Sequence, residues 1–363
     1  MANVPVPRPG ILDIKPYVGG EQKVPGVKRV IRLASNESAL GPSPRAVAAY
    51  KEAAAEMHRY PDGQSTELRA ALGRHYGLDP ERIVAGAGSD DLINVLIRAY
   101  AGPGDEVLYS AHGFLMYPIG AKAAGAAPIA APETNLTFDV DAVLACVTPR
   151  TRLVFIANPN NPTGTFITRD EMRGLQAGLP PSVLLVIDAA YSEFVQRNDY
   201  DPGTELVNDS ENVVMARTFS KIFAMGGMRL GWTYSSAAVA DVMNRVRQPF
   251  NVNSPAQAAG IAALEDVAAV DRARTHNDIL RPWLDRELKA LGLETTPSVA
   301  NFVLARFPPE RPAQAAFDFL KSRGVLTRRV AAYGLPEHLR ITIGLEDEMR
   351  VVADTVKEFL AAS

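Results

Sequence analysis

Cysteine is almost absent: Cys146 is the only one in 363 residues. A single thiol excludes an intrachain disulfide and a cysteine-rich zinc site. Histidine is scarce as well, and His58, His75, His112, His276 and His338 show no metal-ligand spacing, so no metal is expected. No apolar run is long enough to span a bilayer, and the segment from Met1 to Gly10 lacks the apolar core of a secretory leader. No excess of one charge exists either: 38 Lys+Arg stand against 41 Asp+Glu, a formal net charge of -3. That balance gives no electrostatic case for nucleic acid or an anionic membrane as a partner. Internal repeats and low-complexity tracts are missing too. What remains is the expectation of a cytoplasmic enzyme or a small-molecule-binding protein.

The composition that is present, 47% hydrophobic and 22% charged, is that of a globular chain large enough for one large domain and a smaller one. The first thirty-odd residues are rich in Pro and Gly and predict an extended arm. From about residue 80, strand patterns alternate with helix patterns. Arg82–Ala85, Glu106–Tyr109, Leu153–Ala157, Val183–Ile187 and Asn212–Met215 are short apolar runs. Between the first two, Leu92, Ile93, Leu96, Ile97 and Tyr100 mark a helix over Asp90–Tyr100. Continuous apolar strands separated by helices predict an α/β fold with a mostly parallel sheet covered on both faces. After about residue 250 the pattern changes. A helical stretch runs from Ser254 to Leu291, with Pro282 expected to break or kink it. Short strands at Phe302–Ala305 and Leu339–Ile343 and a helix over Asp347–Leu360 follow. The expected organisation is an arm over 1–35 that joins the smaller unit, a large unit over 36–250, and a small α+β unit over 251–363.

Lys221 stands out because its surroundings are uncharged. It lies in Arg217-Thr-Phe-Ser-Lys-Ile-Phe-Ala-Met-Gly-Gly-Met-Arg229, after one of the apolar strands. An amine near the interior loses solvation, its pKa falls, and it becomes a nucleophile toward carbonyls. Three other signals also follow strands, where open α/β sheets bind ligands. Gly86-Ala-Gly-Ser-Asp90 opens a helix and suits an anion, although such a start is also an ordinary N-cap. Asn158-Pro-Asn-Asn-Pro-Thr-Gly164 is a constrained loop that can present Asn161, or simply a turn rich in turn formers. Asp188 ends an apolar strand, where an unpaired carboxylate is costly; it either caps the next helix or meets a cation. A protonated pyridine nitrogen is such a cation. In this order the four signals share one explanation, a pyridoxal phosphate site. Lys221 forms the Schiff base, Asp188 holds the ring nitrogen, and Asn161 contacts the ring hydroxyl. Ser89, Ser220 and Arg229, with Thr218 near them, hold the phosphate.

These motifs resemble those of the fold-type-I pyridoxal-phosphate aminotransferases, and within them the histidinol-phosphate aminotransferase family. The likeness also rests on Leu33-Ala-Ser-Asn-Glu37, Arg59-Tyr-Pro61, Asp188-Ala-Ala-Tyr191 and Leu339-Arg-Ile-Thr-Ile-Gly344, so it extends over nearly the whole chain. It implies a homodimer with shared active sites, in which Tyr60 reaches the cofactor phosphate of the neighbouring subunit. It further implies that Tyr191 joins Asn161 at the ring hydroxyl, that Asp90 belongs to the cofactor site, and that Phe114 stacks on the ring. On the substrate side it implies Asn36, Arg340 for an acidic group, Tyr17 over the side chain, and Arg328 for a substrate phosphate, with Arg329 beside it as the alternative. The chain departs from the common pattern at Phe114, at Ser38 after Asn36-Glu37, and at Ala189 after Asp188.

The implied reaction is transamination between a small-molecule amino donor and an oxo acid: histidinol phosphate and 2-oxoglutarate give imidazole-acetol phosphate and glutamate. Lys221 acts as general base and then acid. Aromatic amino acid transamination shares these motifs. A decarboxylase of a phosphorylated amino acid would share the cofactor contacts, and a noncatalytic binding protein would lack turnover altogether.

Overall fold

Seven strands form the largest sheet. In spatial order they are Ile83–Gly86, Gly231–Ser235, Val213–Thr218, Leu184–Asp188, Thr151–Ala157, Glu106–Ser110 and Ala127–Ala131. All run parallel except Gly231–Ser235, which is antiparallel to both of its neighbours. This is a computed structural model, and it describes residues 5–27 and 29–361. Met1–Val4 and Lys28 of the expected arm, and Ala362 and Ser363 at the end of the expected small unit, lie outside the described residues.

The apolar runs form strands because both faces of the sheet are covered. Every residue of Leu184–Asp188 and of Val213–Thr218 is buried. Side chains alternate between faces along a strand, and alternate residues here enter two different cores. Val154, Ile156, Leu185 and Ile187 pack in one. Leu153, Phe155, Leu184 and Val186 pack in the other, with Leu92, Leu96 and Tyr117 from helices Ser89–Tyr100 and Met116–Ala124. Period-2 sorting of continuous apolar sequence thus produces the three-layer arrangement.

A four-stranded antiparallel sheet lies toward the C-terminus, in the order Glu294–Thr295, Phe302–Arg306, His338–Thr342, Arg328–Arg329. Helices Val267–Ala290, Ala313–Ser322 and Glu346–Ala361 supply its apolar cover. The expected arm has little regular structure: a short 3-10 turn at Ile11–Asp13, then a strand Ile31–Arg32 that pairs in parallel with Val325–Leu326.

Several element boundaries differ from the sequence-based expectation. The helical stretch after Ser254 breaks at Asp266, whose carboxylate caps the next helix, and not at Pro282. Pro282 lies inside the 24-residue helix Val267–Ala290. An interior proline costs about 3 kcal/mol. Leu280, Leu284 and Leu288, all buried on one face, offset that at roughly 1.5–3 kcal/mol each. Arg82 belongs to a 3-10 turn, and the next strand begins at Ile83. The strand before Lys221 runs on through Thr218, which places Arg217 inside the sheet.

Candidate active site

The four signals meet at one end of the large sheet. Asp188 is the last residue of its strand, Asn158 follows Ala157, the Gly86–Ser89 turn follows Ile83–Gly86, and Lys221 follows Thr218. These are the carboxyl ends of parallel strands, where the chain leaves the sheet and the strand tips face a crevice. Tyr17, Asn36, Ser89, Asp90, Phe114, Asn161, Asp188, Tyr191, Ser220, Lys221, Arg229 and Arg340 all line one cavity of about 310 Å³.

At the floor, Asp188 is 5% exposed. Its Oδ2 accepts a hydrogen bond of 2.9 Å from the Tyr117 hydroxyl. Its Oδ1 is buried without a partner. Burial pushes the carboxyl up to about 6, partly countered by the Tyr117 hydrogen bond. An orphaned carboxylate oxygen costs about 1–3 kcal/mol or more, and a cationic ring nitrogen in the cavity relieves that cost. The residues present therefore fit the group inferred from the sequence.

Lys221 Nζ donates to the Ser35 carbonyl at 3.1 Å and lies 5.7 Å from the centre of the Tyr191 ring. Burial, and next the nearby Arg340 charge, lower its amine to about 8. A substantial neutral fraction at neutral to mildly alkaline pH suits both nucleophile and base.

The phosphate end is built on helix Ser89–Tyr100. No side chain caps its first turn, and the N-cap position is Gly88 at φ 95°. A Cβ at Gly88 would meet Arg229 Nη2 at 2.4 Å, so glycine is what admits the guanidinium to the helix N-terminus. Arg229 lies 3.5 Å from Asp90 Oδ2. Burial raises the Asp90 carboxyl, opposed by Arg229. Thr218 Oγ1 donates to Ser220 Oγ at 2.9 Å and accepts from the Ser220 amide at 3.1 Å, which fixes Ser220 at the cavity wall. Free helix amides, hydroxyls and one cation make an anion site.

On the opposite wall, Arg340 is 5% exposed. It donates to the Ala34 carbonyl at 2.8 Å and to Asn161 Oδ1, and its Nε has no partner. Burial lowers its pKa. Asn161 spends its oxygen on Arg340. Asn36 lines the cavity, but its amide is engaged with the Tyr191 hydroxyl at 2.8 Å, and Thr342 holds both its main-chain N–H and its side-chain oxygen. Asn36 is thus placed to orient Tyr191 rather than to face the cavity freely.

Two expected residues lie outside the cavity lining. Arg328 pairs across the sheet with Arg340, so both point to the same face; it donates to the Val18 carbonyl at 2.7 Å and lies over the Tyr17 ring. Arg329 pairs with Leu339, on the other face, and is exposed. Of the two arginines, Arg328 is the one that shares a face with Arg340. Tyr60 is 84% exposed and stacks on Phe250 with ring centroids 4.8 Å apart.

Sequence reasoning passed over Tyr117 and Gly88. Gly88 carried a signal, since it is the second glycine of the turn read as an anion loop. Tyr117 carried none: it is 71 residues from the carboxylate it touches. Among the described residues no helix is long and apolar enough to cross a membrane, and no group of three or more His, Cys, Asp or Glu could hold a metal ion.

Comparison with known proteins agrees with this geometry. Residues 28–356 match the family model described as aminotransferase class I and II. A histidinol-phosphate aminotransferase of Paramagnetospirillum magneticum is 58% identical over 360 residues, 99% of each chain. One from Rhodospirillum centenum is 60% identical over 357 residues, 98% of this chain and 99% of that one. The crystal structure of histidinol-phosphate aminotransferase from Sinorhizobium meliloti in complex with pyridoxal-5'-phosphate superimposes with a TM-score of 0.91 at 29% identity, covering 99% of this chain and 98% of that one. The chain belongs to the class I and II aminotransferases, and within them to the histidinol-phosphate aminotransferase family.

Proposed function

We propose that the protein uses pyridoxal phosphate to transfer an amino group from histidinol phosphate to 2-oxoglutarate, giving imidazole-acetol phosphate and glutamate. One observation carries the reading: Asp188, whose Oδ1 is buried without a partner, lines the same cavity as the desolvated amine of Lys221. When bound, the cofactor supplies an aldehyde for the amines and a ring that withdraws electrons from the substrate Cα. Asp188 holds the ring nitrogen, and the Asn161 amide and Tyr191 hydroxyl meet the ring oxygen. Phe114 packs on the ring face. Ser89, Asp90, Ser220, Arg229 and the amides of the helix N-terminus form the phosphate end.

Lys221 Nζ, neutral in part because burial lowers its pKa, takes the proton from the donor's Cα and later returns one. Arg340 and Arg328, side by side in register and hydrogen-bonded to carbonyl oxygens rather than carboxylates, favour a substrate pair rich in negative charge. Arg340 takes a carboxylate, and Arg328 takes the phosphate of the phosphorylated substrate. Tyr17 covers the side chain.

The reading extends to assembly. The exposed Tyr60–Phe250 pair fits a second copy of the chain, with Tyr60 completing the partner's phosphate site in a cytoplasmic homodimer. The strand pairing of Ile31–Arg32 with Val325–Leu326 supports an arm over 1–35 that belongs with a small unit over 251–363, apart from a large unit over 36–250.

A half-reaction panel tests the substrate. The protein loaded with pyridoxal phosphate is mixed in turn with histidinol phosphate, glutamate, phenylalanine, tyrosine and aspartate, and conversion to the pyridoxamine form is followed by absorbance. Histidinol phosphate and glutamate are expected to convert it fastest. Faster conversion by phenylalanine or tyrosine would move the assignment to aromatic transamination. Carbon dioxide release without conversion would replace transamination with decarboxylation.

A further inference from the structure

Asp188 has two carboxylate oxygens in unlike situations. Oδ2 accepts from Tyr117 and Oδ1 accepts from nothing. Rotation about the bond to a carboxyl group is soft, with broad wells, so a lone carboxylate at a strand end has no reason to present one particular oxygen to the cavity. The tyrosine supplies that reason. Its ring is fully buried, stacked on Phe155 at 4.6 Å and 13°, and set edge-on to Phe114 at 5.8 Å and 86°. Tyr109 stands edge-on to it from a third side, at 6.5 Å. With the ring held between these neighbours, the hydroxyl oxygen is fixed within hydrogen-bond reach of Oδ2. Phe114 brings no hydroxyl of its own, so the donor comes from Tyr117, one turn further along the chain.

We propose that Tyr117 is a positioning residue of the reaction: its hydroxyl fixes the Asp188 carboxylate so that it stays charged and turned toward the ring nitrogen of the cofactor. The inference rests on the pyridoxal phosphate reading above. The phenol has a single proton, and donating it to Oδ2 means that Tyr117 does not compete for the ring nitrogen. A donated hydrogen bond favours the ionised form of its acceptor, which matters at a strand end where burial works the other way. Tyr117 acts through Asp188 and touches no reacting atom.

Tyr117→Phe removes one oxygen and keeps the stacked ring, so the fold is retained. The test titrates cofactor-free protein with pyridoxal phosphate for the wild type, Tyr117→Phe, Asp188→Asn and the double variant. Tyr117→Phe is expected to raise the cofactor Kd roughly tenfold. In the Asp188→Asn background the same change is expected to add less than about twofold, because the two residues act as one unit. With cofactor labelled by 15N in the ring, the Tyr117→Phe resonance is expected to move toward the unprotonated position. Equal losses of affinity in both backgrounds would show a general packing role and overturn the inference. An unchanged Kd with an unchanged 15N resonance would overturn it as well. A wild type that binds while Tyr117→Phe is indistinguishable from it overturns this inference alone. A wild type that takes up no cofactor overturns the functional reading and the inference together.

Discussion

Asp188 is 5% exposed and ends a strand with partners on both sides, whereas Tyr17 is 49% exposed and sits in an arm with almost no regular structure. Both line the same cavity. The floor is carried by the sheet: Asp188, Asn161, Lys221 and the Gly86–Ser89 turn all leave from strand ends whose register is fixed by two buried cores. Beneath it, Arg217 and Glu193 form a buried ion pair at 2.7 Å that ties the strand before Lys221 to the turn after Tyr191. The rim is carried by surface contacts, such as Arg328 to the Val18 carbonyl and Lys321 to Glu21 at 2.6 Å. Exposed ion pairs of that kind are worth about 0–1 kcal/mol. The difference accords with the proposed roles: the groups read as holding the cofactor and moving a proton stand at strand ends, whereas Tyr17, read as covering the substrate side chain, stands on a segment that costs little to change.

The largest expected effect is at the floor. Lys221→Ala removes the base and is expected to lower turnover by roughly 10⁴-fold, measured as the rate of the histidinol phosphate half-reaction. Substantial residual transamination would break the contrast, because the floor would then not carry the chemistry.

A smaller effect is expected at the rim. Arg328→Ala should raise KM for the phosphorylated substrate about 10- to 100-fold, the value of a hydrogen bond to a charged group, while leaving the glutamate half-reaction near normal. Arg329→Ala, on the opposite face, should change KM by less than about twofold. Steady-state kinetics of the two variants side by side sharpen the comparison, and equal effects would erase it.

The smallest effect concerns the stability of the cofactor-free protein. The Asp188 carboxyl titrates near 6 when folded, against an ordinary value of 3.8. Between these values the folded state holds a proton that the unfolded state has released. Wild-type stability therefore falls as pH rises through this window, and the full cost is present above about pH 6. Asp188→Asn removes it, for a gain of up to about 3 kcal/mol at pH 8 that shrinks toward zero near pH 4. Thermal unfolding of both proteins without cofactor across that range measures the difference. A constant difference would show that the carboxylate is not strained by burial.

Much of the floor was legible because each of its residues sits in a short motif at the end of an apolar run, and apolar runs announce strands. The rim was less so. Which of Arg328 and Arg329 shares a face with Arg340 is set by register across the sheet, which no local pattern shows. Asn36 was expected at the substrate; it lines the cavity, and its amide goes to Tyr191, a contact across 155 residues. Pro282 was expected to break or kink a helix; the helix does not break there, and the leucines that keep it continuous find their partners only in the packed core.

By itself the sequence determined the alternation of strands and helices, the four loops that bear chemistry, and Lys221 as the amine among them. These are properties of neighbours along the chain: hydrophobic period, turn chemistry, and the absence of charge around one lysine. Tertiary structure alone decided that one Asp188 oxygen meets Tyr117 while the other waits, that Gly88 makes room for Arg229, and that two arginines from different strands stand side by side. Those facts are distances between residues far apart in sequence, and they come into being only when the two sheets and their helices close around a common cavity.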